Sequence, residues 1–582
     1  MNDREPFIYI KQMYMKGFFD LEENCKEKII SEDYWDFIIP LYRDEELKEV
    51  NPENACIQEM DFGYKSVSVD RRILLPLSFR EYWYSTIPKC YTLLDMQPLD
   101  AAGIITLQNY PTLQLMGDGI MIGFLDTGID YQNRVFRNLD GTTRIVGIWD
   151  QTIQTGRTPQ GLYYGTEYTE EMINAALRSE DPLQIVPSVD TDGHGTFVAS
   201  AAAGGAEVGK QFLGAAPEAS IAMVKLKPAK NYLKEFFAIA QDAVCYQEND
   251  IMLGLRYLND LARKQGMPLV ICVALGTSFG GHGGYSILSE YLQNVAASEG
   301  IGIVTGSGNE ADKRHHYLGI LEQENNLPVE INVGNNTRGF VMELWTELPN
   351  LLALSIASPT GQTVGPISLK RGIGEYVFVF EQTRVIFNYR VLVETTGAQL
   401  AFFQFERPGS GIWKIIPETL ELGNGIFHIW LPMEEFLTGN VYFIRANPEY
   451  TVMEPGDTGA VVCAAYYNGK ENSIAVSSGR GYTRDNRIKP DFAAPGINVT
   501  GINLRGQFVA RSGSSIAVGI TSGALALFME WLDRHGVNLD ASQMKNLLIL
   551  GASRKTDMNY PNQEWGYGAL NLYRTFEQIR RF

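Results

Sequence analysis

The run DGIMIGFLDTGID (118–130) packs apolar residues tightly and then stops on Asp126-Thr127-Gly128. A short apolar run closed by a polar turn is the pattern of a strand buried on both faces. The same design recurs in ASIAMVKL (219–226), MPLVICVALG (267–276) and GIGIVTGSGN (300–309). Helical periods fill the gaps, as in DIMLGLRYLNDLARKQ (250–265) and SILSEYLQNVAASEG (286–300). Strands alternating with helices constrain the chain to an α/β fold, a parallel sheet with helices on both faces. In such sheets active sites gather at the carboxyl ends of the strands. The turns at Asp126, Gly276 and Asn309 all fall there.

Between about 320 and 455 the helical period disappears. Segments such as GFVMELWTEL, LLALSIASPTG, QLAFFQFERPG and GIFHIWLP read as strands at short intervals, an all-β insert expected to form a two-sheet sandwich. The α/β texture then returns in IKPDFAAPG (488–496) and in FVARSGSSIAVGITSGALALFMEWLDRHG (508–536), a strand, a Gly-Ser turn and a long apolar helix. Residues 1 to about 97 mix short patterns, and RRILLPLSFREYW predicts a strand running into a helix start. At 582 residues the chain needs more than one core. Its net charge of −19 argues against nucleic acid or an anionic membrane as partner. No apolar run approaches the length of a transmembrane helix, and MNDREPFIYIKQMYMKGFFD lacks the apolar core of a signal peptide. Cys25, Cys56, Cys90, Cys245, Cys272 and Cys463 show no C-x-x-C and no pairing rhythm. They are expected to be free thiols in a reducing compartment, the cytoplasm or a structure such as a spore formed within the cell.

TDGHGTFVAS (191–200) sets His194 between two glycines and ahead of small residues that suit a tightly packed helix. Histidine is the side chain most often used as a general base near neutral pH. Ser515, in SGSSIA (512–517), sits at the turn before the long helix. A serine hydroxyl is a weak nucleophile that needs such a base, and the base needs an orienting carboxylate. Asp126, His194 and Ser515 each lie where a strand or turn meets solvent, in a chain order known for that triad. Asn309 ends another strand, where its amide is placed to donate to an oxyanion beside the Ser515 backbone N–H.

Four of these stretches together resemble the subtilisin-like serine proteases: FLDTGID their aspartate motif, DGHGTFVAS their histidine motif, GSGN their oxyanion asparagine, and GSSIA their serine motif. SSGRGYTRDNRIKPDFAAPG (477–496) is similar to the segment leading into that serine. Across nearly the whole chain, DGTTRIVGIWDQTI (140–153), RHHYLG (314–319) and the β insert resemble the clostridial germination proteases, the Csp group, and related clostridial subtilases. The resemblance implies a subtilisin-like α/β protease domain (98–582), an amino-terminal α+β prodomain (1–97) and a jelly-roll insertion (320–455). It implies a serine endopeptidase acting on protein or peptide substrates, among them a spore cortex hydrolase, with Ala274, Leu275, Gly276, Gly306 and Ser307 lining the substrate site. It requires no cofactor and leaves room for a structural calcium, although no D-x-D-x-D-G loop is present. The prodomain is expected to be cut by its own molecule between about 90 and 105 and to stay bound as an inhibitor, with IPKCYTLLDMQPL (87–99) as a strand beside VALG. The chain departs from the general motifs at Ser514 and Ile516, at Val518-Gly519 where a proline is usual, and at Ala274 where a serine is usual.

Two rival readings compete. GTSFG (276–280) matches the nucleophile elbow of α/β-hydrolases, with Ser278 then needing Asp491 and His535, but this leaves LDTG and DGHGT unexplained. A sensor or binding protein on a retired protease fold is the second, since fold and function separate easily. His315-His316 has no ligand-spaced partner and is expected in a polar loop. His282, in GGHGG, is expected at the cleft rim or a turn.

Overall fold

The computed structural model describes residues 22–40, 54–79, 81–93, 100–110, 113–322, 327–367, 373–393 and 395–581. The expectation about a leader in residues 1–20 lies outside them. The largest sheet runs, from one edge, Ser473–Ile474, Val462–Asn468, Ile301–Gly306, Leu269–Val273, Met121–Asp126, Ser220–Lys225, Ile145–Asp150 and Thr166–Thr169, with Phe492–Pro495 also paired to Val462–Asn468. Its central pairs are parallel, and only the short edge strands are antiparallel. Successive side chains leave opposite faces. Ile122 and Phe124 therefore join a core with the helices His194–Ala203 and Ser514–Arg534, while Met121 and Leu125 join another with Glu248–Gln265 and Ile287–Ala296.

The two helices on the first face pack backbone against backbone. A Cβ on Gly523 would meet the Ala202 carbonyl at 2.8 Å and the Ala215 Cβ at 2.3 Å, so glycine is required for the approach. Ser514–Arg534 is long and apolar enough to cross a membrane by length and composition, contrary to the expectation from apolar runs, but it is buried in the core.

The insert forms two antiparallel sheets. One orders His316–Ile320, Ile426–Trp430, Gly339–Thr346, Gln399–Glu406, Thr383–Arg390 and Ile373–Phe378; the other orders Thr363–Ile367, Leu351–Ala357, Gly411–Glu421, Val329–Val333 and Val441–Phe443. Phe340, Met342 and Leu344 face the core between the sheets with Trp413. Val341 and Trp345, on alternate positions, face the other way and pack with Phe79, Tyr84, Phe236 and Phe279. The central strand Gly339–Thr346 is thus buried on both faces, which fastens the insert to the rest of the chain.

Near the amino terminus, Glu22–Ile30 packs on an antiparallel sheet ordered Tyr34–Pro40, Tyr64–Asp70, Ala55–Met60. Three expectations are corrected here and nearby. Cys25 and Cys56 form a disulfide, with Cα atoms 5.1 Å apart, because the helix lands on the strand that carries the second cysteine; Cys90, Cys245, Cys272 and Cys463 are free and buried. In RRILLPLSFREYW, residues 71–79 and 81–83 form a short 3-10 turn (Arg71–Ile73) and irregular chain, as a proline in its middle removes a backbone donor. His316 opens a strand rather than lying in a polar loop.

Candidate active site

Asp126 is the last residue of the central strand Met121–Asp126. His194 is the first residue of its helix, turned inward by Gly193 at φ +90°. Ser515 lies in the first turn of Ser514–Arg534, behind Gly513 at φ +141°. The three meet although 68 and 321 residues separate the contacting pairs. His194 Nδ1 is 2.8 and 2.9 Å from the two Asp126 carboxylate oxygens, and Nε2 is 2.9 Å from Ser515 Oγ. Since a carboxylate only accepts, Nδ1 carries the proton and Nε2 presents its lone pair to the hydroxyl. All three side chains are buried.

The glycine after the histidine makes this contact sterically feasible. A Cβ on Gly195 would lie 2.2 Å from the Gly128 carbonyl and 3.0 Å from Asp126 Oδ1. Further bonds hold the aspartate turn to the histidine helix: Thr127 N–H donates to Asp126 Oδ1 (2.7 Å), and Gly195 N–H donates to Thr127 Oγ1 (2.9 Å). Asp190 accepts from Gly193 N–H (2.8 Å), Thr196 N–H (2.9 Å) and Thr196 Oγ1 (2.7 Å), which orders the turn into the helix. The sequence reading passed over Asp190. Its signal was a helix-capping pattern, an aspartate just upstream of a glycine and a run of small residues.

Asn309 lies beside the serine helix, where its Oδ1 accepts from Ser514 N–H at 3.3 Å. That bond assigns the amide, leaving Nδ2 as the donor end. Ser515 N–H belongs to the first turn of a helix, whose donors have no intrahelical partner. Gly306 pairs with Ala464 on the neighbouring strand, and Ser307 donates its N–H to the Ala464 carbonyl at 3.0 Å. Met453 was missed: it is buried between the two expected walls of the substrate site. A Cβ on Gly276 would meet Met453 Cβ and Cε at 3.3 Å, and one on Gly308 would meet its sulfur at 2.2 Å. No local motif marks Met453, because it reaches the site from the far end of the β insert.

Ala274 lies between the strand Leu269–Val273 and the short strand Leu275–Gly276. Cys90–Leu93 is paired antiparallel to it, Leu93 opposite Leu275 and Thr92 opposite Gly276. On its other edge the same segment pairs with Tyr246–Gln247. The segment Cys90–Leu93 is thus the middle strand of three. Residues 94–99, where the expected cut falls in part, lie outside the described residues.

The rival constellation is not assembled. Asp491 is held by Lys489 at 2.7 Å and by the Cys463 N–H, while His535 bonds the Trp531 carbonyl at the far end of the serine helix. His282 is buried, stacked on Trp430 at 4.1 Å, and burial pulls its pKa down to about 4. His315 contacts Glu310 at 2.7 Å and His316 contacts His428 at 3.0 Å. Among the described residues no group of three or more His, Cys, Asp or Glu side chains is arranged to hold a metal ion.

Comparison with known proteins identifies the family of the chain. The model of the subtilase family matches residues 117–368 and 423–568. The subtilisin-like protease SBT3.6 of Arabidopsis thaliana is 26% identical over 473 residues, 71% of this chain and 56% of that protein. The human membrane-bound transcription factor site-1 protease is 29% identical over 159 residues, 25% of this chain and 15% of that protein. The chain therefore spans little more than half the length of the plant relative. Among solved structures, the CspB protease of Clostridium perfringens is 32% identical with a TM-score of 0.73, over 83% of this chain and 97% of that one.

Proposed function

The chain belongs to the subtilase family, and from that premise we propose that it is a serine endopeptidase working through Asp126, His194 and Ser515. Ser515 Oγ attacks the peptide carbonyl as His194 Nε2 takes its proton. Asp126 keeps the imidazole in the tautomer with Nδ1 protonated and stabilises the imidazolium that forms. Asn309 Nδ2 and Ser515 N–H donate to the oxyanion of the tetrahedral intermediate. His194 passes the proton to the leaving amine, and water then hydrolyses the acyl-enzyme by the same sequence. The observation that carries the proposal is the relay of contacts at 2.8 Å and 2.9 Å through one imidazole.

The substrate backbone lies along Ala274–Gly276, with Gly306 and Ser307 across the site and Met453 limiting its depth. Residues 1–97 act as a prodomain that the enzyme cuts between about 90 and 105 and then retains as an inhibitor. The pairing of Cys90–Leu93 with Leu275–Gly276 supports that role. The resemblance to the Csp proteases extends the proposal to a spore cortex hydrolase or other proteins as substrate, and to a cytoplasmic or spore-associated location. A serine-reactive phosphonate tests the chemistry: it should label wild-type protein at Ser515 and leave Ser515→Ala and His194→Ala unlabelled. Absence of labelling in folded wild-type protein would favour a binding protein on a protease fold.

A further inference from the structure

The loop GGHGG (280–284) carries a histidine that the triad does not use. His282 is buried and sits at φ +48°, a backbone conformation that persists in a non-glycine residue only where the surroundings hold it. Its ring stacks on Trp430, with centroids 4.1 Å apart and an interplanar angle of 9°. Trp430 ends the insert strand Ile426–Trp430, and its Nε1 donates to the Tyr450 carbonyl at 3.1 Å. The stack fixes the plane of the imidazole. Nδ1 then lies 2.8 Å from the Val452 carbonyl oxygen, and Nε2 lies 3.1 Å from that of Ser278. Ser278 lies just beyond the short strand Leu275–Gly276, and Val452 precedes Met453, so one side chain spans both segments.

Met453 is held through both of its neighbours. Glu454 exchanges backbone bonds with Thr277 at 2.9 and 3.0 Å, and Val452 meets the His282 ring. Met453 N–H itself donates to the Ser307 carbonyl at 3.1 Å. Its side chain lies against Gly276 on one side and Gly308 on the other, where an added Cβ would meet it at 3.3 and 2.2 Å. Gly276 ends the strand along which the substrate is proposed to lie, and Gly308 precedes the oxyanion donor Asn309. The space between them adjoins the carbonyl that Ser515 attacks, so the side chain of the residue bearing that carbonyl competes with Met453 for it. Of these anchors the His282 contact is made by a side chain and the others by backbone. Carbonyl oxygens only accept, and burial pulls the ring's pKa down to about 4, so near neutral pH the ring has one proton to give. The shorter contact puts that proton on Nδ1, towards Val452.

We propose, resting on the protease reading above, that His282 is a positioning residue: by holding Val452 it fixes Met453 across the substrate site and so sets the size of side chain the enzyme accepts before the scissile bond. The ring touches neither substrate nor the reacting atoms and acts through Met453. Its loss therefore changes which substrates fit and leaves the triad in place.

Two peptides, identical except for alanine or phenylalanine before the scissile bond, are offered to the enzyme purified from the full chain. The quantity read is the ratio of kcat/KM, phenylalanine over alanine. Met453→Ala should raise this ratio about tenfold or more, the scale on which a pocket discriminates by a few methylenes. His282→Gly keeps the left-handed backbone and removes the ring, and should raise the ratio in the same direction. His282→Asn, whose amide replaces the Nδ1 donor and which tolerates that backbone, should keep the wild-type ratio. His282→Gln places its amide towards Ser278 instead; it should behave as His282→Gly and stands in for it if that variant does not fold. In Met453→Ala protein the further change His282→Gly should leave the ratio where Met453→Ala put it, because the two residues act as one unit. A wild-type ratio in Met453→Ala or in folded His282→Gly would overturn the proposal. So would a shift in His282→Asn equal to that in His282→Gly, or a double variant whose shift is the product of the two single shifts. Each of these, with cleavage still lost in Ser515→Ala, leaves the protease reading standing. Cleavage persisting in Ser515→Ala would overturn both.

Discussion

Replacing Gly195 by alanine isolates the geometric core of the account, because it changes no chemical group in the site. The added Cβ would lie 2.2 Å from the Gly128 carbonyl oxygen, where ordinary contact begins near 3.4 Å, and 3.0 Å from Asp126 Oδ1. The first obstacle is backbone and cannot rotate away. The helix start and the aspartate turn must therefore separate by about 1 Å, and His194 sits between them with 2.8 Å and 2.9 Å contacts on its two sides. A displacement of about 1 Å in a catalytic group costs about 10²-fold in rate, and overpacking of this kind costs roughly 1–3 kcal/mol in stability. Kinetics on a fluorogenic peptide, beside a thermal melt, read both quantities: kcat should fall by about two orders of magnitude with KM little changed. Gly209→Ala is the control, since its nearest neighbour would be 4.0 Å away. An unchanged kcat in folded Gly195→Ala protein would refute the claim that the approach of Asp126 to His194 limits the chemistry.

Asn309→Ala should lower kcat by about 10²–10³ and leave KM nearly constant, as loss of one oxyanion donor does; a fall arising from KM alone would assign the residue to substrate binding. Trp413, buried in the insert with Phe378 at 4.9 Å and Phe405 at 5.4 Å, should cost about 3–5 kcal/mol when changed to alanine. The melting temperature and resistance to protease should drop while kcat at low temperature holds, because the insert supplies rigidity and no catalytic group. Glu343 is pushed up to about 7 by burial, which outweighs the opposing hydrogen bonds from Trp345, Gly280 and Tyr84 and the charge of Lys89. It holds its proton more tightly in the fold than in the unfolded chain, so its contribution to stability is present at acidic pH and is lost as pH rises to about 7. Melting curves from pH 4 to 8 should show this loss, and Glu343→Gln should flatten it.

What the sequence disclosed depended on how local each signal was. The strand carrying Asp126 was legible because its apolar run and its closing turn are contiguous, and the same holds for the helices starting near Glu248 and Ser514. Asp126, His194 and Ser515 were legible singly as turn residues, and together because their motifs occur in order. Met453, Glu343 and Glu454 were not. Each is an ordinary residue in its local stretch and acquires its setting only when the insert closes onto the protease sheet. The Cys25–Cys56 bond was hidden for the same reason: 31 residues separate the pair, and only the packing of a short helix on a strand brings them together. RRILLPLSFREYW misled because its apolar residues serve contacts with the insert and with the Phe236 region instead of a regular element.

The most direct test of the account is the mass of the chain itself. Under the proposed self-cleavage, purified wild-type protein should contain two fragments, cut between about residues 90 and 105 and still associated, the segment paired with Leu275–Gly276 being the proposed first substrate. Ser515→Ala protein, prepared in the same way, should be one intact chain. An uncut wild-type chain with high peptidase activity, or a Ser515→Ala chain cut at the same place, would contradict it.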